Sequence, residues 1–352
     1  MNLFTILDMA ASGFGQRQAL GLRDAGPSYI DLRRQAATGG AHLRREGRPV
    51  VFVGQSGHAF ASAFFACTWA GVPFVPLNFR LAGDQLQRLV ERTGDAWLIA
   101  EPRYAADLAM AGGTLVSTDE WLSVVEGPEP EEEPADEPLR PALHLFTSGT
   151  TAEPKAAVLE HSHLSAYILG SVEFGAAGED EATLVSVPPY HIAGVANLLS
   201  NTFAGRRIVY LPAFDPASWL DTVRAEGISQ AMVVPTMLAR IVEELDSSDS
   251  AGAPTLRSIS YGGARMPISV LERAMELFPD TGFVNAYGLT ETSSSIAVLT
   301  PEDHRRAVLD NDPAARRRLG SVGKVLPGID VQVRAEDGAV LPAESHGELW
   351  VR

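Results

Sequence analysis

The 352-residue sequence has little cysteine: Cys67 is the only one. One thiol forms no internal disulfide and no cysteine-based metal site. It sits in the apolar run Ala61-Ser62-Ala63-Phe64-Phe65-Ala66-Cys67 and reads as a buried small hydrophobe. Basic charge is also scarce. Against 44 Asp and Glu stand 28 Lys and Arg, a formal net charge of −16. That balance argues against non-specific nucleic-acid binding, which needs basic surface, so no nucleic-acid partner is expected. It does not exclude a phosphate ligand, because a local loop and a bound cation can attract phosphate within an acidic protein. No apolar stretch reaches the ~18 residues that span a bilayer. The N-terminus lacks a basic region and carries Asp8 early, unlike a secretory signal. These absences predict a soluble, cytoplasmic protein without a membrane span.

What is present is a hydrophobic content of 45%, ample for large cores. Domains usually hold about 100–200 residues, so the length predicts two or more compact units. Short apolar runs alternate with amphipathic ones. Val50-Val51-Phe52-Val53, Pro73-Phe74-Val75-Pro76 and Ala96-Trp97-Leu98-Ile99-Ala100 read as strands; residues 59–70 and 84–91 read as helices. The alternation resumes with strands at 184–187, 207–211 and 231–234 and helices at 215–226, 236–245 and 268–278. Such alternation implies parallel sheets with helices on both faces, which bind ligands beyond the carboxyl ends of their strands. The expected fold is α/β: two doubly wound, mostly parallel subdomains, then the start of a small β-rich one. The boundaries fall at 1–126, 142–318 and 319–352. Residues 127–141 form an acidic, proline-rich linker, read as exposed and mobile because proline and like-charge repulsion oppose packing. Strand runs at 329–333 and 348–351 follow, with a hairpin turn at Ala335-Glu336-Asp337-Gly338.

The stretch Thr147-Ser148-Gly149-Thr150-Thr151-Ala152-Glu153-Pro154-Lys155 carries the most chemistry. Hydroxyls and free backbone N–H groups donate to phosphate oxygens, glycine lets the backbone approach, and lysine brings charge. It is not a Walker A loop, since Pro154 precedes Lys155 and Ala156 follows it. An ordinary polar turn after a strand is the bland alternative.

Further segments follow in order: Val75-Pro76-Leu77-Asn78-Phe79-Arg80-Leu81, Pro188-Pro189-Tyr190-His191-Ile192-Ala193-Gly194, Tyr261-Gly262-Gly263-Ala264, Asn285-Ala286-Tyr287-Gly288-Leu289-Thr290-Glu291-Thr292, Gly320-Ser321-Val322-Gly323-Lys324-Val325-Leu326-Pro327-Gly328 and Gly347-Glu348-Leu349-Trp350-Val351-Arg352. With the loop, they closely resemble the signature segments of the AMP-binding, adenylate-forming superfamily of acyl-CoA synthetases, luciferases and adenylation domains. The resemblance implies ATP-dependent activation of a carboxylic acid to an acyl adenylate, with pyrophosphate leaving. Such chemistry rests on positioning and charge stabilisation, which suits a chain with no evident Ser-His-Asp arrangement.

By that resemblance, Thr147, Ser148, Gly149, Thr150, Thr151 and Lys155 surround the β- and γ-phosphates. The family usually has glycine where Ala152 stands, and often where Ala156 stands. Gly262, Gly263, Ala264, Asn285, Ala286, Tyr287 and Gly288 line the adenine site, and Thr290 contacts the α-phosphate. Glu291, with Thr150, serves Mg²⁺, which takes few protein carboxylates and fills its shell with water and phosphate. A solvated surface glutamate, and a tight turn at the glycines, are the structural alternatives. His191 lines the junction of acid and phosphate, where an imidazole can donate to a carboxylate; core packing is its alternative. Thr150, His191 and Glu291 are thus the implied catalytic residues, and His191, Val195, Gly262 and Gly288 the implied acid pocket.

The segment after His191 holds no acid to pair with a substrate ammonium, and an unpaired buried ammonium is costly, so amino acids are disfavoured. Arg206 and Arg207 stand too far along the chain to pair with a dicarboxylate's second acid. A fatty or aromatic acid is expected, with CoA as thiol acceptor; the phosphopantetheine of an acyl carrier protein is the other acceptor. The family's C-terminal domain has no counterpart before Arg352, so weak turnover by this chain alone, or a module that only binds nucleotide, is also expected.

Overall fold

The computed structural model describes residues 1–109, 112–147, 154–247, 252–309 and 313–352. Among them, β1 (Val50–Val53), β2 (Phe74–Pro76), β3 (Trp97–Ala100), β4 (Thr114–Ser117), β5 (Pro141–Thr147) and β6 (Lys155–Glu160) form one sheet in the order β4-β3-β1-β2-β5-β6. The first five run parallel, and β6 returns antiparallel to β5. A second sheet holds β7 (Ala182–Val185), β8 (Arg207–Tyr210), β9 (Ile228–Val233), β10 (Ser258–Gly262), β11 (Gly282–Leu289), β12 (Ser294–Leu299) and β13 (Lys324–Val325), ordered β13-β12-β11-β10-β9-β7-β8. It is parallel from β7 to β11 and antiparallel at β12 and β13. β14 (Val331–Arg334) and β15 (Glu348–Val351) make a small antiparallel pair, with the expected turn closed by Gly338 N–H donating to Ala335 O at 2.9 Å. Two mostly parallel sheets and a small antiparallel one are the α/β architecture read from the sequence.

The central strands β1, β2 and β3 form where they do because both their faces are buried. Val50 and Phe52 pack with Phe74 and Ile99 on one face of the first sheet; Val51 and Val53 pack with Val75, Leu98 and the helix Gly83–Thr93 on the other. The first of these cores does not stop at one sheet. It takes in the helices Phe4–Phe14, Tyr29–Arg44, His58–Ala70 and Ile192–Ala204, and then Val185 and Ile208 of the second sheet. A helical layer is therefore common to both sheets. Residues 19–21 also cover the outer edge of β8, with Ile208 N–H donating to Ala19 O at 2.8 Å and Gly21 N–H to Ile208 O at 2.9 Å. An open sheet edge is thereby closed.

Two boundaries differ from expectation. The change of sheet falls after β6, whereas the second unit was drawn from residue 142. β5 reads as the start of a new unit because it follows the proline-rich stretch, yet it pairs with β2. The stretch itself is not a free connector. Arg33 pairs with Glu129, and Arg34 with Glu126 at 3.1 Å. Arg44 donates to Glu133 O at 2.7 Å, and Ala135 N–H to Trp69 O at 2.9 Å. Arginines on the helix Tyr29–Arg44 supply the cations that offset the like-charge repulsion. Cys67 is fully buried, as its apolar setting implies. No described helix is long and apolar enough to cross a membrane.

The helical layer packs closely. A Cβ at Gly40 would overlap the Trp69 ring, and one at Gly39 the Trp121 ring. Helix propensity alone predicts that Gly40→Ala stabilises by about 1 kcal/mol. Overpacking predicts the opposite sign, a loss of about 1–3 kcal/mol. We expect the loss in urea melts, and a stabilised variant would show that this approach does not limit packing.

His161 is fully buried, and its Nδ1 accepts from Leu3 N–H at 3.3 Å. Burial, aided by the N-terminal ammonium, pushes its pKa down to about 4. Between pH 6.5 and about 4 the unfolded chain holds more protons at this ring than the folded chain does. Stability therefore falls with pH through that window, by up to about 3 kcal/mol, and this contribution is flat above it. His161→Gln should reduce the loss between pH 7 and pH 5 in urea melts; an unchanged slope would place its source elsewhere.

Candidate active site

Ser148, Gly149, Thr150, Thr151 and Ala152 lie outside the described residues. Their flanks do not. Thr147 ends β5, Lys155 begins β6, and the two are paired in register, with the Thr147 hydroxyl donating to Lys155 O at 3.4 Å. β5 and β6 thus pair antiparallel at one edge of the first sheet. Ala156 is an ordinary strand residue opposite Phe146.

The second sheet brings together the other proposed nucleotide contacts. β10 ends beside β11, with Tyr261 opposite Asn285 and Gly262 opposite Ala286, and β11 runs on to Leu289. Beyond them opens a pocket of about 300 Å³ walled by Gly262, Gly263, Ala264, Asn285, Tyr287 and Gly288, and closed by residues 319–322. The Asn285 amide fixes that closing segment by donating to Ser321 O at 3.1 Å. Gly263 has φ +80°, a left-handed turn that suits glycine. Gly262 answers a different need, since a Cβ there would overlap Ala286 O on the neighbouring strand.

β11 then turns into β12. A Cβ at Gly288 would overlap Ser294 O. The Thr292 hydroxyl accepts from Leu289 N–H at 2.9 Å and lies 3.0 Å from both Leu289 O and Ser294 O. Ser293 and Ser294 carry positive φ, 60° and 115°. On the far side of this hairpin lies a second cavity, of about 500 Å³, between the helix His161–Ser171, residues 291–296 and residues 326–329. Thr290 and Glu291 therefore sit at the turn that divides the two spaces.

Glu291 is exposed into the larger cavity and makes no ion pair or hydrogen bond among the described residues. Those residues contain no cluster of three or more potential metal ligands. One free carboxylate fits a Mg²⁺ ion held mainly by water and phosphate, and does not fit an all-protein cage.

His191 precedes the helix Ile192–Ala204. Although exposed at one edge, its ring lies 4.6 Å from that of Tyr190, and Tyr190 packs edge-on to Phe79 at 5.4 Å. Partial desolvation, and then the nearby Arg80, lower its pKa, so the neutral imidazole prevails at pH 7. Val195 is elsewhere. It is fully buried in the helical layer and lines neither cavity, because one turn along this helix points into the core. Arg206 and Arg207 are paired with Glu181 and Glu226 at 2.9 and 2.8 Å, far from a substrate role.

Sequence reasoning passed over three features. Arg80 was read only as part of a segment, yet it stands beside His191. Ser293 and Ser295 enter the larger cavity and had only their place after Glu291 as a signal. Behind the smaller pocket, the Tyr261 hydroxyl lies 2.8 Å from Nε2 of the fully buried His304, whose Nδ1 is 2.7 Å from Thr300 O. This buried chain holds the end of β10 in place.

Pockets at the carboxyl ends of parallel strands, at the point where pairing changes direction, are where α/β proteins bind ligands. The AMP-binding enzyme family model matches residues 7–352, and the chain belongs to that family. It is 29% identical over 320 residues to indoleacetate–CoA ligase of Aromatoleum aromaticum, covering 86% of this chain and 60% of that one. It is 30% identical over 333 residues to feruloyl-CoA synthase of an Amycolatopsis species, covering 92% and 64%. The chain thus spans about 60–64% of the length of these curated relatives. The solved o-succinylbenzoate coenzyme A synthetase of Bacillus subtilis, in complex with AMP, shares the fold with a TM-score of 0.82 over 99% of this chain and 69% of that one, at 24% identity.

The close approach at Gly288 gives a direct test. Gly288→Ala should force β11 and β12 apart and destabilise the chain by about 1–3 kcal/mol in urea melts. Stability equal to that of the unaltered chain would show that the hairpin yields without cost.

Proposed function

We propose that this chain activates a carboxylic acid with ATP. The acid's carboxylate attacks the α-phosphorus, pyrophosphate leaves, and an acyl adenylate forms. The observation that carries the reading is the pair of cavities either side of the β11–β12 hairpin, with an unpaired carboxylate, Glu291, at the turn between them. Adenine is assigned to the smaller pocket, against Tyr287 and the backbone at Gly262, Gly263 and Ala264. Thr147, Ser148, Gly149, Thr150, Thr151 and Lys155 are assigned to the β- and γ-phosphates, and Thr290 to the α-phosphate. Glu291, with Thr150, would hold Mg²⁺, which supplies charge neutralisation on the phosphates when bound. A neutral His191 is suited to donate one hydrogen bond to the acid's carboxylate while Arg80 adds positive potential beside it.

The two relatives named above are called ligases or synthases of aromatic acids, and this supports an aromatic acid over a fatty one. Their names also support CoA as the acceptor whose thiol takes the acyl group in the whole protein. Nothing in this reading requires a covalent enzyme intermediate, because positioning and charge stabilisation carry such reactions.

The test is carboxylate-dependent ATP–pyrophosphate exchange over a panel of aromatic, fatty and amino acids. Exchange with an aromatic acid is expected, and Glu291→Ala should lower the Mg²⁺-dependent rate by about 100-fold or more. An unaffected variant would remove Glu291 from the metal role. Nucleotide binding without exchange for any acid would reduce the chain to a binding module.

A further inference from the structure

The smaller pocket is walled by residues 262–264 at the end of β10 and closed by residues 319–322. The first wall has little to hold it. Gly262 and Gly263 carry no side chain, and residues 263–265 are exposed. Tyr261 is therefore the last side chain of β10 that can fix where this wall stands, and it is fully buried. Its anchor lies on the helix Pro301–Leu309. Nε2 of His304 is 2.8 Å from the Tyr261 hydroxyl, and Nδ1 is 2.7 Å from Thr300 O. A carbonyl oxygen only accepts, so Nδ1 carries the proton and Nε2 accepts from Tyr261. Burial lowers the pKa of His304, which keeps this neutral form at pH 7. The same helix reaches the closing segment. Asp303 accepts from the Thr300 hydroxyl at 2.8 Å, and its N–H donates to that hydroxyl at 3.2 Å. The Thr300 bond, and then Lys324 and Arg318, hold the Asp303 carboxyl below its ordinary range. Arg318 and Lys324 flank residues 319–322, and Leu319 is buried in the same core as Tyr261.

We infer that His304 is a positioning residue for the nucleotide: by holding the Tyr261 hydroxyl it fixes the wall at residues 262–264, and the helix Pro301–Leu309 thereby keeps that wall and the closing segment at one spacing. The inference rests on the assignment of adenine to this pocket. Neither Tyr261 nor His304 lines the pocket, so the pair acts through the backbone that follows Tyr261. A directional bond between buried groups sets a position that apolar packing alone leaves looser, which is how a supporting contact tunes a binding site.

The test titrates the full chain with AMP in a calorimeter and follows stability by urea melts. Tyr261→Phe keeps the ring but leaves the buried Nε2 without a donor. It should weaken AMP binding about tenfold and lower the urea midpoint. Combining it with His304→Leu removes both partners, which is close to neutral for stability. Thr300 O still accepts from the backbone N–H of residue 304, at 3.1 Å in the unaltered chain. The double variant should therefore regain the urea midpoint while AMP stays about tenfold weaker, a separation that a merely structural pair would not give. His304→Gln, whose side-chain oxygen can accept from Tyr261, should bind AMP within about threefold of the unaltered chain, and it decides the matter should the double variant fail to fold. Unchanged AMP affinity in Tyr261→Phe, affinity that recovers together with stability in the double variant, or His304→Gln as weak as Tyr261→Phe would overturn the inference. Those results, with AMP bound by the unaltered chain, leave the adenine assignment standing. Absence of AMP binding by the unaltered chain would sink that assignment and this inference with it.

Discussion

The approach of the Gly288 backbone to Ser294 is the constraint on which the site depends. β11 is the last parallel strand of its sheet and pairs on its other side with an antiparallel neighbour. No side chain fits at Gly288, so the two strands close tightly, and the register slips beside it, between Tyr287 and Gly288. Bulges of this kind re-aim side chains. Here the residues before the slip wall one pocket and those after the turn wall the other. A single hairpin thus sets where two ligands would lie relative to each other.

That hairpin is held from behind by packing rather than by charge. Tyr261 and His304 are fully buried and hydrogen-bonded, and Phe283 anchors β11 in the same core. On the other side, the helix Ile192–Ala204 belongs to the layer that both sheets share. Charge does its work farther out. Of the 28 basic residues only Lys155 and Lys324 are lysines, and Arg33, Arg34 and Arg44 secure the surface segment of residues 126–133. Exposed pairs of this kind contribute little stability singly, but they set the path of a chain that would otherwise repel itself. Arg80 has a different place. It has no ion-pair partner among the described residues and lies near His191.

Strands buried on both faces, such as Val50–Val53, were legible because they read as unbroken apolar runs bounded by turn residues. The grouping of residues around the smaller pocket was legible because glycines at 262, 263 and 288 combine with a following Thr-Glu pair. What was not legible depends on partners distant in sequence. The acidic stretch was judged from its own charges, and the arginines that bind it lie about ninety residues earlier. The helix Tyr29–Arg44 hides its packed face behind Ala36, Ala37, Gly39 and Gly40, whose smallness blurs the apolar period. Val195 stood near His191 in sequence, but a helix carries neighbouring residues to different faces, so proximity along the chain did not place it in the pocket.

Ser293 and Ser295 show the same limit more sharply. Serine is common in turns, and three in a row look like a solvated loop. Only the positive φ values, the bond-making Thr292 hydroxyl and the walls supplied by a helix 120 or so residues earlier turn them into cavity residues. The two halves of the site therefore differ in how they are encoded. The smaller pocket is built from backbone approach and small residues, which leave a mark on the sequence because few residue types satisfy them. The larger cavity is built from the shape between elements, where many residue types would fold equally well. The Gly288 hairpin borders both cavities, so a change in its close approach would disturb both at once.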